Sequence, residues 1–202
     1  MPARIPHPRR PESALYASTF KRAIDIVLSG AALMVSLPVM LLAGAAIWLE
    51  DRGSPIFRQM RVGQGGAPYR LFKLRSMPVN TRHVPSTQAQ RLKTTRVGAF
   101  IRRTNIDELP QFFNIFCGDM SVVGPRPALA SQTALLDMRR DNGALDCKPG
   151  LTGLAQVNAY DGMPEREKAD WDGRYAADVT FFGDCRIIFR TFFYLLRRPP
   201  VY

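Results

Sequence analysis

From Ile26 to Trp48 the chain carries no charged residue. As a helix, such a run of roughly two dozen residues is long enough to cross a bilayer core about 30 Å thick. It exceeds a signal-peptide core, and no small-residue cleavage pattern stands out before the charged flank. Pro38 lies near its middle, two residues after Ser36. Proline removes a backbone donor and kinks a helix, and a serine bonded back to a carbonyl bends it further. Lys21 and Arg22 flank one side, and Arg52, Arg58 and Arg61 the other. Basic residues mark the cytoplasmic face, and here they stand at both ends. Two readings remain: a kinked transmembrane helix, and a re-entrant helix that turns at Pro38 and leaves on the side it entered. A buried core helix fits the length less well.

Beyond this segment the pattern changes period. Pro55–Val62 and Tyr69–Arg75 flank Gly63-Gln64-Gly65-Gly66, which predicts a β-hairpin turned on glycines. Its cations fit a solvated or headgroup-facing surface. Residues 78–95 are polar and read as a surface loop. Helical periodicity returns over Val97–Ile101 and Ile106–Phe116, with a third helix over Ala128–Arg140. Lys148–Gly153 reads as a turn rich in glycine and proline, and Glu165–Tyr175 as a helix. Cys185–Arg198 sets eight apolar and aromatic residues beside four arginines. Both an amphipathic helix on a membrane surface and a core helix with a charged outer face fit it.

Residues 1–20, with four prolines and three arginines among the first eleven positions, read as a flexible basic arm. The net charge of +11 and pI near 10.2 call for an anionic partner, whether nucleic acid, anionic lipid or a phosphorylated substrate. Three separated cysteines, Cys117, Cys147 and Cys185, and two histidines, His7 and His83, argue against a disulfide framework, a zinc site or a histidine triad. A reducing compartment fits them. Acid–base or nucleophilic chemistry then falls to carboxylates.

Asp107-Glu108 is the prominent pair, behind Arg102-Arg103 and ahead of Leu109-Pro110-Gln111. Thr104 or Asn105 is placed to cap a helix starting near Ile106, which puts both carboxylates at its positive end and favours their ionised forms. Acidic residues are common in first turns for that reason alone, so position is not proof of catalysis. The neighbours add weight: Arg102, Arg103 and Arg126 can contact phosphate, and Pro125 and Pro127 restrict the backbone around Arg126. Two carboxylates can divide nucleophilic attack and the holding of a divalent metal between them.

These stretches occur in an order that resembles the bacterial sugar transferases, the monotopic phosphoglycosyl transferases. The matching segments are Lys21-Arg22-x-x-Asp25, Phe57-Arg58-Gln59-x-Arg61-Val62-Gly63, Phe72-Lys73-Leu74-Arg75-Ser76-Met77, Asp107-Glu108-Leu109-Pro110-Gln111, Gly118-Asp119-Met120-Ser121, Val123-Gly124-Pro125-Arg126-Pro127 and Pro149–Asn158. The resemblance implies an α+β, mostly helical monotopic enzyme of the bacterial inner membrane. It has a re-entrant helix (21–50) broken at Ser36 and Pro38, and a cytoplasmic catalytic domain (51–202) with a β-hairpin and interfacial amphipathic helices. It implies transfer of a phosphosugar from a UDP-sugar to polyprenyl phosphate, with release of UMP, as the first membrane step of surface glycan synthesis. By the same resemblance Asp107 is the nucleophile and Glu108 its partner at a Mg²⁺ site. Lys73, Arg102 and Arg126 match phosphate- or nucleotide-binding positions, and Asp172 and Asp184 match later acidic positions of the substrate site. Neither the sugar nor the oligomeric state follows from it.

Three departures stand out. Ser36-Leu37-Pro38 replaces an adjacent Ser-Pro pair, Leu154 stands where many members have Trp, and Ala159-Tyr160-Asp161 replaces a common Gly-Arg-Asn. Tyr160 then takes the place of an arginine in nucleotide or sugar binding. The rival readings are a non-catalytic basic adaptor on anionic lipid or nucleic acid, although no nucleic-acid module is recognisable, and an inactive family member serving as an assembly platform.

Overall fold

A computed structural model describes residues 16–79, 81, 94–160 and 163–196. Most of the basic arm and of the polar loop therefore lies outside the described residues. A π-helical turn, Tyr16–Phe20, leads into α1, Lys21–Asp51. At 1.5 Å per residue α1 is about 46 Å long. It continues through Pro38 without interruption, so the expected break is not a gap in the helix. A proline forfeits one backbone bond at a cost of about 3 kcal/mol.

Both ends of α1 are bonded to the same globular body. Near its start Lys21 pairs with Asp184. Arg22 donates to the carbonyls of Ile115 and Phe116, and the buried Asp25 accepts from Ser121 Oγ and the Val122 amide at 3.1 and 2.9 Å. At its end Ile47 packs with Leu74 and Ile101, Glu50 accepts from the Arg96 and Val97 amides, and Asp51 takes both terminal nitrogens of Arg75. The middle, including Met34, Val35, Leu41 and Leu42, is exposed.

The hairpin forms as expected: β1, Ile56–Val62, pairs antiparallel with β2, Pro68–Leu74, from Ile56↔Leu74 to Val62↔Pro68. Gly65 and Gly66 supply the positive φ of its turn. The next stretch differs from a simple two-helix reading. Helix α2, Arg96–Arg103, is capped by Thr95, which accepts from the Gly98 amide. Asn105 turns left-handed at φ 55° and caps nothing, and Thr104 bonds back to Phe100. A single 3-10 turn, Ile106–Glu108, precedes α3, Gln111–Cys117. Ile106 packs against the Ile47–Leu74–Ile101 cluster, which fixes this turn between the hairpin and α1.

The segment read as a glycine and proline turn is in part a strand. β3, Ser121–Val123, runs parallel to β4, Gly150–Thr152. The two backbones approach closely: a Cβ on Gly124 would lie 2.2 Å from the Lys148 carbonyl, and one on Gly150 2.1 Å from the Gly124 nitrogen. The third predicted helix starts late, as α4, Thr133–Asp141, because Ala128 instead bridges Val62. Helices α5, Leu154–Val157, α6, Glu165–Ala177, and α7, Phe181–Leu196, complete the described fold. Phe182, Phe189, Phe192 and Phe193 are exposed on α7, while Ile187 enters a core with Tyr16, Val123, Tyr175 and Val179. The helix thus combines the two readings open to it from sequence.

Candidate active site

Three elements converge on the Asp107–Glu108 turn. Lys73, near the end of β2, donates to Glu108 Oε1 at 2.7 Å. Arg126, just beyond β3, reaches the same oxygen at 3.3 Å. Arg102, in the last turn of α2, donates to Ser76 Oγ at 2.7 Å and adds its charge to the field at Asp107. The register of β2 is locked from behind by Asn114, which is wholly buried. Its amide donates to the Arg70 carbonyl and accepts from the Phe72 nitrogen.

The two carboxylates differ. Asp107 is 8% exposed, yet among the described residues it takes part in none of the hydrogen bonds or ion pairs. Burial is the largest influence on it and raises its pKa to about 6; Lys73 pulls the other way and the Glu108 charge adds to the rise. Burial also opposes the charge on Glu108, but Lys73 and Arg126 outweigh it and hold that carboxyl down at about 2. The expectation that a helix dipole favours the ionised form is therefore corrected for Asp107, whose carboxyl is raised although still mainly ionised at neutral pH. The dyad sits in a three-residue turn ahead of α3, so the aligned peptide dipoles are few and desolvation governs Asp107.

The later acidic positions go elsewhere. Asp172 is 1% exposed and accepts from Arg139 Nε and Nη2 at 2.9 and 2.6 Å. Asp184 is buried and accepts from Lys21, Tyr16 and Tyr175, joining the π-helical turn, α1, α6 and α7. Neither carboxylate bonds to the dyad among the described residues; their partners are Arg139 for Asp172 and Lys21, Tyr16 and Tyr175 for Asp184. Tyr160 is exposed and donates to Glu167 Oε2 at 2.6 Å, while Asp161 and Gly162 lie outside the described residues. Ser36 is buried in α1 with no partner for its hydroxyl among the described residues.

Sequence reasoning missed Ser76, Asn114 and Arg139. A signal existed for Asn114, a lone amide inside Phe112-Phe113-Asn114-Ile115-Phe116. No cluster of three or more metal-ligating side chains occurs among the described residues. Two adjacent carboxylates nevertheless suit magnesium, which usually takes one or two and keeps waters and substrate phosphates as its other ligands. Asp107 is unengaged, and both ion pairs of Glu108 fall on Oε1, leaving Oε2 for such a role.

The chain is similar in sequence to known proteins. The family model for bacterial sugar transferases matches residues 16–198. A UDP-glucose:undecaprenyl-phosphate glucose-1-phosphate transferase of Caulobacter vibrioides is 39% identical over 193 residues, covering 90% of this chain and 72% of the relative. A Klebsiella pneumoniae protein of the same name is 38% identical over 183 residues, 86% of this chain and 39% of the relative. A UDP-N-acetylgalactosamine-undecaprenyl-phosphate N-acetylgalactosaminephosphotransferase of Aeromonas hydrophila is 37% identical over 190 residues, 89% of this chain and 44% of the relative. The chain thus spans less than half of two of these relatives and most of the third. With the family model matched across nearly the whole chain, this protein belongs to the bacterial sugar transferase family.

Proposed function

We propose that this chain is a phosphoglycosyl transferase that moves a sugar 1-phosphate from a UDP-sugar to a polyprenyl phosphate, undecaprenyl phosphate in the named relatives. The observation that carries the reading is the asymmetric dyad: a buried, unpaired Asp107 beside a Glu108 held by Lys73 and Arg126. An Asp107 carboxylate oxygen attacks the β-phosphorus. The bond from that phosphorus to the bridging oxygen breaks, UMP leaves with the electron pair, and an aspartyl phosphosugar forms. An oxygen of the polyprenyl phosphate then attacks the same phosphorus and displaces the Asp107 carboxylate, giving the polyprenyl diphosphate sugar. Lys73, Arg102 and Arg126 offset the charge of the diphosphate. A Mg²⁺ held by Asp107 and Glu108 would supply further neutralisation of phosphate charge.

The features of α1 support a membrane placement. Its exposed apolar middle suits lipid, and both of its ends are bonded to the catalytic body. A full crossing would drag part of that body through the bilayer. This supports a monotopic placement at the cytoplasmic face of the inner membrane, with the exposed phenylalanines of α7 at the interface. The reaction would initiate a surface glycan.

The test is UMP release by purified protein from a panel of UDP-sugars, with polyprenyl phosphate and Mg²⁺, and Asp107→Asn as control. Release that needs both the lipid and Asp107 supports the proposal and names the sugar. Release unaffected by Asp107→Asn removes Asp107 as nucleophile.

A further inference from the structure

The backbone that carries Arg126 hangs from its carbonyls. Pro125 and Pro127 have no N–H to donate, so this stretch is short of donors. Its four successive carbonyls each accept from a different place: Pro125 from the Gly150 amide at 2.9 Å, Arg126 from Arg139 Nη1 at 2.9 Å, Pro127 from Arg61 Nη1 at 3.2 Å, and Ala128 from the Val62 amide at 3.0 Å. The outer two holds are backbone. The inner two are guanidinium groups.

We propose that Arg139 and Arg61 are positioning residues that set the backbone from which Arg126 reaches the phosphate site, and that Asp172 orients Arg139 for this task. The function assigned to Arg126 rests on the transferase reading above; the way it is held rests on geometry alone. Arg139 is 5% exposed. Two of its nitrogens are committed to Asp172 Oδ2, which fixes the plane of a rigid fork and leaves Nη1 aimed at the Arg126 carbonyl. Asp172 is therefore three links from the dyad: Asp172 to Arg139, Arg139 to the Arg126 backbone, and the Arg126 side chain to Glu108. A buried ion pair is a poor source of net stability, since desolvation offsets much of its attraction. A geometric role accounts for one placed here. Arg61 is likewise desolvated, with Nη2 on Gln59 Oε1 and Nη1 on Pro127.

Arg139→Lys separates the tasks. An ammonium keeps the charge opposite Asp172 but cannot span both Asp172 and the Arg126 carbonyl. Two measurements are made on the full chain, beside wild type, Arg126→Ala and the double variant: UMP-release kinetics, and hydrogen exchange of the Val62 and Gly150 amides. The expected result is faster exchange at those two amides with that of the hairpin at Gln59 unchanged, and a loss of about 10-fold or more in kcat/KM. That loss should vanish in the Arg126→Ala background, because the misplaced group is already gone. Equal losses in both backgrounds would reduce Arg139 to a structural residue and overturn the proposal, as would unchanged exchange at both amides. If wild type releases no UMP from any donor, the transferase reading fails and the exchange result alone decides whether the strap is held as described. Arg61→Lys, which frees the Pro127 carbonyl, carries the same test should Arg139→Lys not fold.

Discussion

Asp107 and Asp172 are both buried aspartates with arginines close by, and they are opposites in what those arginines do. Asp172 is gripped by two nitrogens of one guanidinium. Asp107 lies in the field of Lys73, Arg102 and Arg126 without touching any of them. A carboxylate whose lone pairs are spent on a neighbour holds structure together; one that is desolvated and left unpaired stores energy that a substrate can draw on. Nearness to positive charge is common to both, and only the contact geometry separates them.

The comparison breaks first at Asp107. Asp107→Asn should lower turnover by about 10⁴-fold or more in the UMP assay while stabilising the fold at neutral pH. The sign follows from linkage. The folded chain holds the Asp107 proton up to about 6, whereas the unfolded chain releases it near the ordinary 3.8. This group's contribution is therefore most favourable below pH 4, declines between 4 and 6, and stays lower above that. Denaturation in magnesium-free buffer should show Asp107→Asn more stable than wild type by about 3 kcal/mol at pH 7, a gain that disappears near pH 4. A neutral-pH loss of stability would mean that the aspartate is paired after all.

Asp172→Ala should act in the other direction. It strands the Arg139 charge in the interior and should cost about 3–5 kcal/mol in denaturant unfolding. A cost below about 1 kcal/mol would show that Arg139 finds water or another partner. Lys73→Ala should cut kcat/KM by about 10²-fold and also lower stability at neutral pH in denaturant unfolding, because it takes a partner from the largely buried Glu108 carboxylate. At the small end stands Tyr69→Phe. The Tyr69 hydroxyl is buried without a partner among the described residues, so its removal should leave stability unchanged or raise it by up to about 1 kcal/mol. A clear loss in the melting temperature would reveal a bridging water.

How much of this could be read beforehand depended on the range of the interaction. The hairpin was legible because its turn is local and the glycines at 65 and 66 are required by its positive φ. The apolar stretch of α1 was legible from length alone. The parallel pair β3–β4 was not, because each strand is only three residues long and the two lie far apart in sequence. Asn105 looked like a helix cap but turns left-handed so that Ile106 can dock beside Ile47 and Leu74. Asp172 and Asp184 were matched by family resemblance, and their partners could not be read locally: Arg139 is 33 residues from the first, and Lys21 is 163 from the second. The dyad was found by its neighbours in sequence, but its division of labour depends on burial, which no window of sequence reports.

The Lys21–Asp184 and Tyr16–Asp184 bonds join residues separated by 163 and 168 positions, and this sets a timetable. The first described elements leave the ribosome long before their anchor on α7 exists. Before then α1 can already meet the hairpin, α2 and α3, whose residues lie nearer in sequence, but the ring of contacts shuts only when nearly the last described helix arrives. Such long-range closure is slow, so the turn that opens the described fold is among the last parts of it to be sealed.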